Sequence, residues 1–190
     1  MDELKLGFAL TGSFCTFRRV LGVMRALKDA GYRIVPIMSF NAFSLDTRFG
    51  KAEDFRREIE EITGEKIVST LQAAEPIGPK KLLDVLLIEP CTGNTLAKLA
   101  SGIADTPVTM AAKSHLRNGR PVVVAVSTND ALAGAAKNIA ALQNFKHLYF
   151  VPYTQDDPKE KPNSLVADFT KTQETVAAAL RGEQVQPVLI

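Results

Sequence analysis

Residues 5–17 read KLGFALTGSFCTF, in which a short apolar run ends in a Gly-Ser pair and passes directly into a helical pattern. This order predicts a buried strand, a tight turn and the start of a helix. The free N–H groups and the positive dipole end of such a helix favour an anion. Gly12 would let the backbone approach a ligand closely, and Ser13 would either cap the helix or bind a phosphate. The stretch therefore predicts the phosphate-binding turn of a nucleotide or flavin fold, with a simple capped turn as the alternative.

The composition predicts one globular domain spanning residues 1–190, because 46% of the residues are apolar and the net charge is only +2. That small charge argues against nucleic acid or a membrane surface as a partner, and no segment has the length of a membrane span. The acidic start of the chain leads straight into a strand, so we expect no secretory signal and a cytoplasmic location. Two cysteines and two histidines without ligand-like spacing predict no structural metal site and no disulfide.

Strand and helix patterns alternate along the chain, and the strands are almost continuously apolar. Together these features predict an α/β fold: a three-layer, Rossmann-like parallel sheet with helices on both faces. Pro36 predicts either an irregularity in the second strand or a position near an edge of the sheet. The predicted strands cover residues 6–11, 33–39, 83–89, 121–127 and 148–152. The predicted helices cover residues 17–30, 52–63, 77–82, 94–103, 108–116, 132–142 and 172–181, with a polar loop at 41–50 and a C-terminal loop and helix within 152–190.

Each predicted strand ends in small side chains that carry a hydroxyl or an amide. These ends lie at residues 11–13, 39–41, 90–95, 127–129 and 154–157. In open α/β sheets, ligands bind at the carboxyl ends of the strands near the switch in strand order. Ordinary turns and helix caps favour the same residue types, which is the alternative interpretation. Five such ends on one rim predict a ligand crevice.

Residues 90–105, PCTGNTLAKLASGIAD, resemble the FMN-holding motif of the flavin-binding cysteine decarboxylases, approximately P-A-[ST]-A-N-T-[IL]-[AG]-K-[IL]-A-x-G-I-A-D. The Gly-Ser pair before the first helix and Asn129 after the fourth strand match the same family in order and spacing. This resemblance implies that FMN binds at the strand ends. The residues it implies are Gly12, Ser13, Ser39, Pro90, Thr92, Asn94, Thr95, Ser127 and Asn129. It also implies a homo-oligomer of trimers, because these decarboxylases complete each FMN site with residues of a neighbouring subunit.

Residues 44–53, 151–168 and 186–190 are similar to the B subunits of dipicolinate synthases, which belong to the same flavoprotein superfamily. This resemblance implies an oxidoreductase subunit that works with an NAD(P)-dependent A subunit. The pair would make dipicolinate from an intermediate of the lysine pathway in the mother cell of a sporulating bacterium. FMN would then be the cofactor of this chain, and NAD(P) would act only through the partner subunit. The alternative is a non-catalytic subunit that keeps the flavin fold as a scaffold.

Two departures from the decarboxylase pattern bear on the chemistry. The decarboxylases carry a catalytic His between the second and third strands, and residues 39–89 contain no His. Residues 127–132 read STNDAL where the family has Pro-x-Met-Asn, so the Met of that pattern is missing. Without the base, a decarboxylase is the least favoured interpretation, and the sequence assigns no catalytic residue.

Arg48 is the candidate substrate-binding residue, since its planar guanidinium suits the carboxylates of a small dicarboxylate. A salt bridge to Asp46 or Glu53 is the alternative. We expect residues 41–51 to form a mobile lid over the rim, with Gly50 allowing it to bend.

The two cysteines and the two histidines are predicted to have structural rather than catalytic roles. We expect both Cys15 and Cys91 in loops at helix starts, where cysteine is more often a small apolar residue than a catalyst. We expect His115 at the surface, because Lys113 and Arg117 flank it, and His147 in a turn.

Overall fold

The computed structural model describes residues 3–190 and is built on a seven-stranded sheet. The strands are β1 (Lys5–Leu10), β2 (Arg33–Met38), β3 (Val85–Cys91), β4 (Val122–Thr128), β5 (Leu148–Phe150), β6 (Tyr153–Thr154) and β7 (Leu165–Ala167). Strands β2, β1, β3, β4 and β5 lie side by side and parallel. Because β1 has β2 on one side and β3 on the other, the strand order reverses between β1 and β3. Loops that leave the sheet at such a point diverge and leave a crevice.

Helices cover both faces of this sheet, as the apolar strands predict. They are α1 (Phe17–Asp29), α2 (Phe40–Ser44), α3 (Ala52–Thr63), α4 (Leu71–Ala74), α5 (Gly93–Ala100), α6 (Pro107–Leu116), α7 (Ala136–Leu142) and α8 (Thr172–Leu180). Helix α1 packs with α3 and α8, whereas α6 packs with α4 and α5. Every residue of β3 is buried, and β1 and β4 are buried over nearly their whole length. No helix in the described part of the chain is long and apolar enough to cross a membrane.

The α/β prediction is confirmed, but the sheet is mixed rather than purely parallel. Strand β7 pairs antiparallel with β4, and β6 pairs antiparallel with β7. Neither strand was predicted, because strands of two and three residues are too short for a hydrophobic period to show. The position predicted for Pro36 is confirmed, since β2 is the last strand on its side of the sheet.

Several predicted segments differ from the structure. The helix predicted at 132–142 begins only at Ala136. The loop at 41–50 begins with helix α2, because the Ser39 hydroxyl accepts the Ala42 N–H at 3.3 Å and caps it. The helix predicted at 77–82 is wrong: α4 and a 3₁₀ turn at Glu75–Ile77 precede that segment. Strand β3 continues two residues beyond the predicted end, since the Pro90 carbonyl accepts the Thr11 N–H at 3.2 Å and keeps the pairing.

His115 is buried, so its predicted surface position is wrong. It shares one face of α6 with Val108, Ala111 and Ala112, which recur at helical spacing and are all fully buried. Neither ring nitrogen has a hydrogen-bond partner within residues 3–190. Burial lowers the pKa of His115 to about 4, so the ring is neutral at pH 7. His147 lies exposed in a turn, with a positive φ of 64°, as predicted.

Glu89 is a fully buried carboxyl group near the end of β3. The Thr172 hydroxyl, at the start of α8, donates to Glu89 Oε2 at 2.7 Å, and Oε1 has no partner among the described residues. Desolvation raises the pKa of Glu89 to about 8, against weaker opposing effects of Thr172 and the Arg19 charge. The group is therefore largely protonated at neutral pH.

We predict that Glu89 makes the protein less stable as the pH rises. The native state keeps a proton that the unfolded chain releases near pH 4.5, so the stabilising contribution declines from there to about pH 8 and is absent above it. At roughly 1.36 kcal/mol per pH unit, the decline is at most about 5 kcal/mol. Glu89→Gln should remove this slope and be more stable than the native protein at pH 9, measured by urea unfolding from pH 5 to 9. The control Glu61→Gln, at an exposed position of α3, should keep the native slope, and an unchanged slope in Glu89→Gln would contradict the prediction.

Candidate functional site

An open cleft of about 470 Å³ lies at the carboxyl ends of the central parallel strands, where the loops after β1, β3 and β4 converge. Its walls mix hydroxyl, amide, aromatic and charged side chains. They are formed by Gly12, Ser13, Phe14, Cys15, Arg48, Phe49, Thr92, Ser127, Thr128, Asn129, Asp130 and Lys161. This size and mixture are typical of a pocket for a small molecule.

The Thr11 hydroxyl joins the floor of the cleft across the switch in strand order. It donates to the Pro90 carbonyl at 2.7 Å and accepts the Thr92 N–H at 3.0 Å. The Ser13 and Ser127 hydroxyls lie 2.8 Å apart and join the loop after β1 to the end of β4. These bonds hold three separate strand ends in one arrangement. The predicted strand ends of β1, β3 and β4 are thus neighbours on one rim.

Helix α5 begins in the wall of the cleft and is capped by Thr92. The Thr92 hydroxyl accepts the Thr95 N–H at 3.3 Å and lies 3.1 Å from the Thr95 hydroxyl. Thr95 is buried behind this cap, whereas Thr92 faces the cleft. Thr92 therefore caps the helix and holds Thr95, another residue of the predicted motif, in position.

The structure brings six of the ten sequence-predicted site residues together in the cleft. These six are Gly12, Ser13, Arg48, Thr92, Ser127 and Asn129. The other four lie nearby but outside its lining. They are Ser39, which caps α2, Pro90, which is buried in β3, Asn94, which is exposed in the first turn of α5, and the buried Thr95. Ligand binding by any of these residues stays a prediction.

Arg48 points into the cleft without an acidic partner. Its guanidinium carbon lies 4.9 Å from the centre of the Phe49 ring, and no salt bridge within residues 3–190 includes it. The alternative salt bridge to Asp46 or Glu53 is absent from the structure. Asp46 instead accepts the N–H of Ala52 at 2.8 Å, at the start of α3. An uncompensated cation at a cleft suits a ligand carboxylate.

The turn that carries Arg48 is closed rather than open. Thr47 and Gly50 exchange two backbone hydrogen bonds, at 3.0 and 3.1 Å. A Cβ atom at Gly50 would lie 2.8 Å from the Phe55 ring, and the φ of Gly50 is +149°. Gly50 therefore allows close packing on Phe55, whereas the sequence alone suggested a point of bending. Motion of the whole segment as a lid stays a prediction.

Lys161 reaches the cleft from the loop between β6 and β7 and was not predicted from the sequence. The loop is held by the Ser164 hydroxyl, which donates to Asn129 at 3.5 Å, and by the Leu132 N–H, which donates to the Asn163 carbonyl at 3.0 Å. The Asp156 carboxylate, 3.0 Å from the Lys161 amine, raises the pKa of that amine. No local pattern near Lys161 indicates this position, because only the tertiary fold brings the loop to the rim.

The two cysteines differ in environment. Cys15 is exposed in the cleft and lies in the 3₁₀ turn before α1. This agrees with its predicted position at the start of a helix. Cys91 is the last residue of β3 and not part of a loop, so its predicted position is wrong. Complete burial strongly raises the pKa of the Cys91 thiol, which stays protonated and unreactive.

Comparisons with known proteins identify the family to which the chain belongs. A family model described as Flavoprotein matches residues 1–180. The chain is 43% identical to the dipicolinate synthase B subunit of Bacillus subtilis (strain 168), over all of this chain and 96% of that protein. The crystal structure of the dipicolinate synthase B subunit from Bacillus halodurans C superposes with a TM-score of 0.90, at 47% identity, covering 100% of this chain and 98% of that one. The FMN-dependent cysteine decarboxylase SpaF superposes with a TM-score of 0.71, at 26% identity, covering 95% of this chain and 97% of that one.

We predict that one of the two thiols reacts in the folded protein. Cys15 is exposed and should be modified rapidly by a maleimide or an aromatic disulfide, whereas Cys91 should react only after unfolding. Mass spectrometry of the native and the denatured protein counts the modified thiols. Cys15→Ser should leave none reactive in the native protein and one after denaturation. Rapid modification of both thiols under native conditions would contradict the burial of Cys91.

Proposed function

The chain belongs to the flavoprotein family and, within it, to the dipicolinate synthase B subunits, and from this membership we propose that it is the FMN-binding subunit of a dipicolinate synthase. The observation that carries the proposal is the cleft at the switch in strand order, whose walls unite the Gly-Ser turn, the start of α5 and the end of β4. These are the segments that resemble the FMN motifs of the decarboxylases.

The residues of the cleft fit FMN in size and in chemistry. A volume of about 470 Å³ is within the range of pockets that hold a drug-sized ligand. Ser13, Thr92, Ser127 and Asn129 supply hydroxyl and amide groups for a phosphate and a polyhydroxyl chain, and Gly12 leaves the backbone open to close approach. The flavin, when bound, supplies a two-electron redox centre that the side chains of the protein lack. The protein itself holds, orients and shields its ligands.

The other parts of the proposal concern substrate, partners and setting. Arg48 binds a carboxylate of a small dicarboxylate substrate, since it is the cleft cation without an acidic partner. A separate A subunit supplies NAD(P), and the two subunits act together as an oxidoreductase in the cytoplasm of the mother cell during sporulation. Residues 1–190 act as one domain. Copies of this domain form a homo-oligomer of trimers. Light scattering would measure the mass of that oligomer.

Two other functions are compatible with the fold. The first is a non-catalytic scaffold for the A subunit that retains a flavin fold. The second, a cysteine decarboxylase, is disfavoured because residues 39–89 contain no histidine. Assays of each subunit alone and of the mixture, with and without FMN, separate these functions. The proposal expects activity only from the mixture with FMN. Equal activity of the mixture without FMN would support the scaffold.

We predict that Ser13→Ala weakens FMN binding by about 5- to 10-fold, the scale for losing one hydrogen bond. The reason is that the Ser13 hydroxyl lies in the cleft, 2.8 Å from that of Ser127. Quenching of flavin fluorescence during titration measures the dissociation constant. Ser101→Ala, at the opposite end of α5 and exposed, is the control and should bind FMN as the native protein does. Native protein that fails to bind FMN would refute the proposal itself.

We predict that Arg48→Ala leaves the fold and FMN affinity nearly unchanged but impairs substrate use by the reconstituted pair of subunits. The loss should be about 2–4 kcal/mol in transition-state stabilisation, because a charge-assisted pair with a substrate carboxylate disappears. Arg48→Lys should recover activity only in part, since an ammonium group cannot make the two-pronged contact. Arg57→Ala, on the exposed face of α3, is the control. If Arg48→Ala keeps the native kcat/KM, the turn that carries Arg48 only connects α2 to α3 and does not bind substrate.

A further inference from the structure

A second concave surface lies among the C-terminal ends of α5, α6 and α7 and the start of β5, and we call it the α6 groove. Its volume is about 350 Å³. Its floor and walls are mostly apolar and are formed by Leu99, Ile103, Leu116, Leu142, Phe145 and Leu148. Leu148 is the first residue of β5, which runs parallel to β4. The α6 groove therefore lies at the amino ends of the parallel strands, and it shares no lining residue with the cleft.

The apolar surface of the α6 groove is open to solvent. Ile103 and Phe145 are 47% and 40% exposed, whereas Leu142 and Leu148 are buried beneath them. Large apolar side chains beside an apolar concavity are stabilised when a further apolar group covers them and displaces water. The shape and the lining therefore favour insertion of an apolar side chain from another molecule.

The rim of the α6 groove carries positive charge only. Lys113, Arg117 and Lys146 line it, all three are exposed, and no salt bridge within residues 3–190 includes any of them. The local sequence supplies almost no compensating charge. Residues 106–155 contain five Lys or Arg residues and a single acidic residue, Asp130, which lies in the cleft at the other end of the sheet. The rim thus complements an acidic partner.

The helix dipole explains only part of this arrangement. Lys113 and Arg117 lie at the C-terminal end of α6, where a cation is favoured by about 0.3–1 kcal/mol. Lys98 in the last turn of α5 has the same advantage and is nevertheless paired with Asp105 at 2.7 Å. The dipole accounts neither for the lack of acidic partners at the rim nor for the exposed ring of Phe145 beside it.

We propose that the α6 groove docks a partner protein through a segment in which apolar side chains alternate with Asp or Glu. An apolar side chain of the segment fills the groove and covers Phe145, and its carboxylates pair with the rim cations. That the partner is the A subunit rests on the proposed function. Because the groove and the cleft lie at opposite ends of the sheet, docking leaves the cleft open to its ligands. The contact therefore assembles the two subunits and takes no part in the chemistry.

The first test measures the affinity of the full-length A subunit for the native chain and for groove variants by isothermal titration calorimetry. Arg117→Glu should weaken binding by about 10-fold or more, because an attraction becomes a repulsion. Phe145→Ala should weaken it by a similar factor, as expected for an apolar anchor. The matched controls are Lys137→Glu, exposed on α7 outside the groove, and Phe40→Ala, 46% exposed on α2, and both should bind as the native chain does. The changed residues are exposed, and thermal unfolding checks that each variant folds.

Salt and activity provide two further readouts. Raising NaCl from 50 to 500 mM should weaken binding of the A subunit by the native chain more than binding by Arg117→Glu, because salt screens the rim charge. The groove variants should also need more A subunit to reach half of the maximal activity of the mixture. At saturating A subunit they should reach the native rate, since the cleft is unchanged.

The second test concerns the chemistry of the docking segment. A carbodiimide joins a lysine amine to a carboxylate in direct contact with it, and mass spectrometry identifies the linked residues. In the complex, Lys113 or Lys146 should be joined to Asp or Glu residues of the A subunit that lie among apolar residues. Linkage of the A subunit only to lysines outside the α6 groove would overturn the proposal.

The outcomes distinguish this proposal from the function on which it rests. Equal binding of the A subunit to the native chain, Arg117→Glu and Phe145→Ala, in mixtures that are active, would overturn the docking surface and leave the proposed function intact. A smaller oligomer of Phe145→Ala alone, measured by light scattering, would assign the groove to a contact between copies of this chain and would also overturn it. Native chain that does not bind the A subunit overturns the docking proposal, and an inactive mixture with FMN would then refute the proposed function as well.

Discussion

The bridge made by the Thr11 hydroxyl is the interaction on which the site depends. It links the end of β1 to the β3–α5 turn at the point where the strand order reverses, through bonds of 2.7 and 3.0 Å. Loops that leave a sheet on either side of such a point diverge. Here the backbone bond from the Thr11 N–H to the Pro90 carbonyl is the last bond of the pairing between β1 and β3. A buried hydroxyl that donates to one backbone group and accepts from another supplies a further restraint. The cleft walls are then the side chains immediately beyond it.

Burial of the central strands explains why the polar groups gather at this rim. Helices cover both faces of β1, β3 and β4, so a polar side chain within these strands would lose water without a partner. Hydroxyl and amide groups are therefore found where the strands emerge. Glu89 is the exception, and it stays protonated and bonded to Thr172, which joins β3 to the last helix. Exclusion of charged groups stabilises the core. It also leaves the polar side chains at the ends of the strands, where the cleft lies.

The charged groups of the cleft come from segments far apart in the chain. Arg48 follows α2, Asp130 follows β4, and Lys161 belongs to the loop between the two antiparallel strands. A flavin fold thus carries, on its rim, a set of side chains able to recognise a small charged ligand. Residues 39–89 contain no histidine, and the Asp130 carboxylate lies beside Gly93 in the same rim.

The sequence by itself determined the α/β architecture, the parallel strands and six residues of the cleft, because buried strands and capped turns leave local patterns. Those patterns extend over a few neighbouring residues, and the 90–105 motif is long enough to be specific. Only the tertiary structure decided that β6 and β7 run antiparallel and that Lys161 and Asp130 face the same cleft. The reason is physical: these features arise from contacts between residues distant along the chain. Packing across the whole fold sets such contacts, and no local period or spacing encodes them.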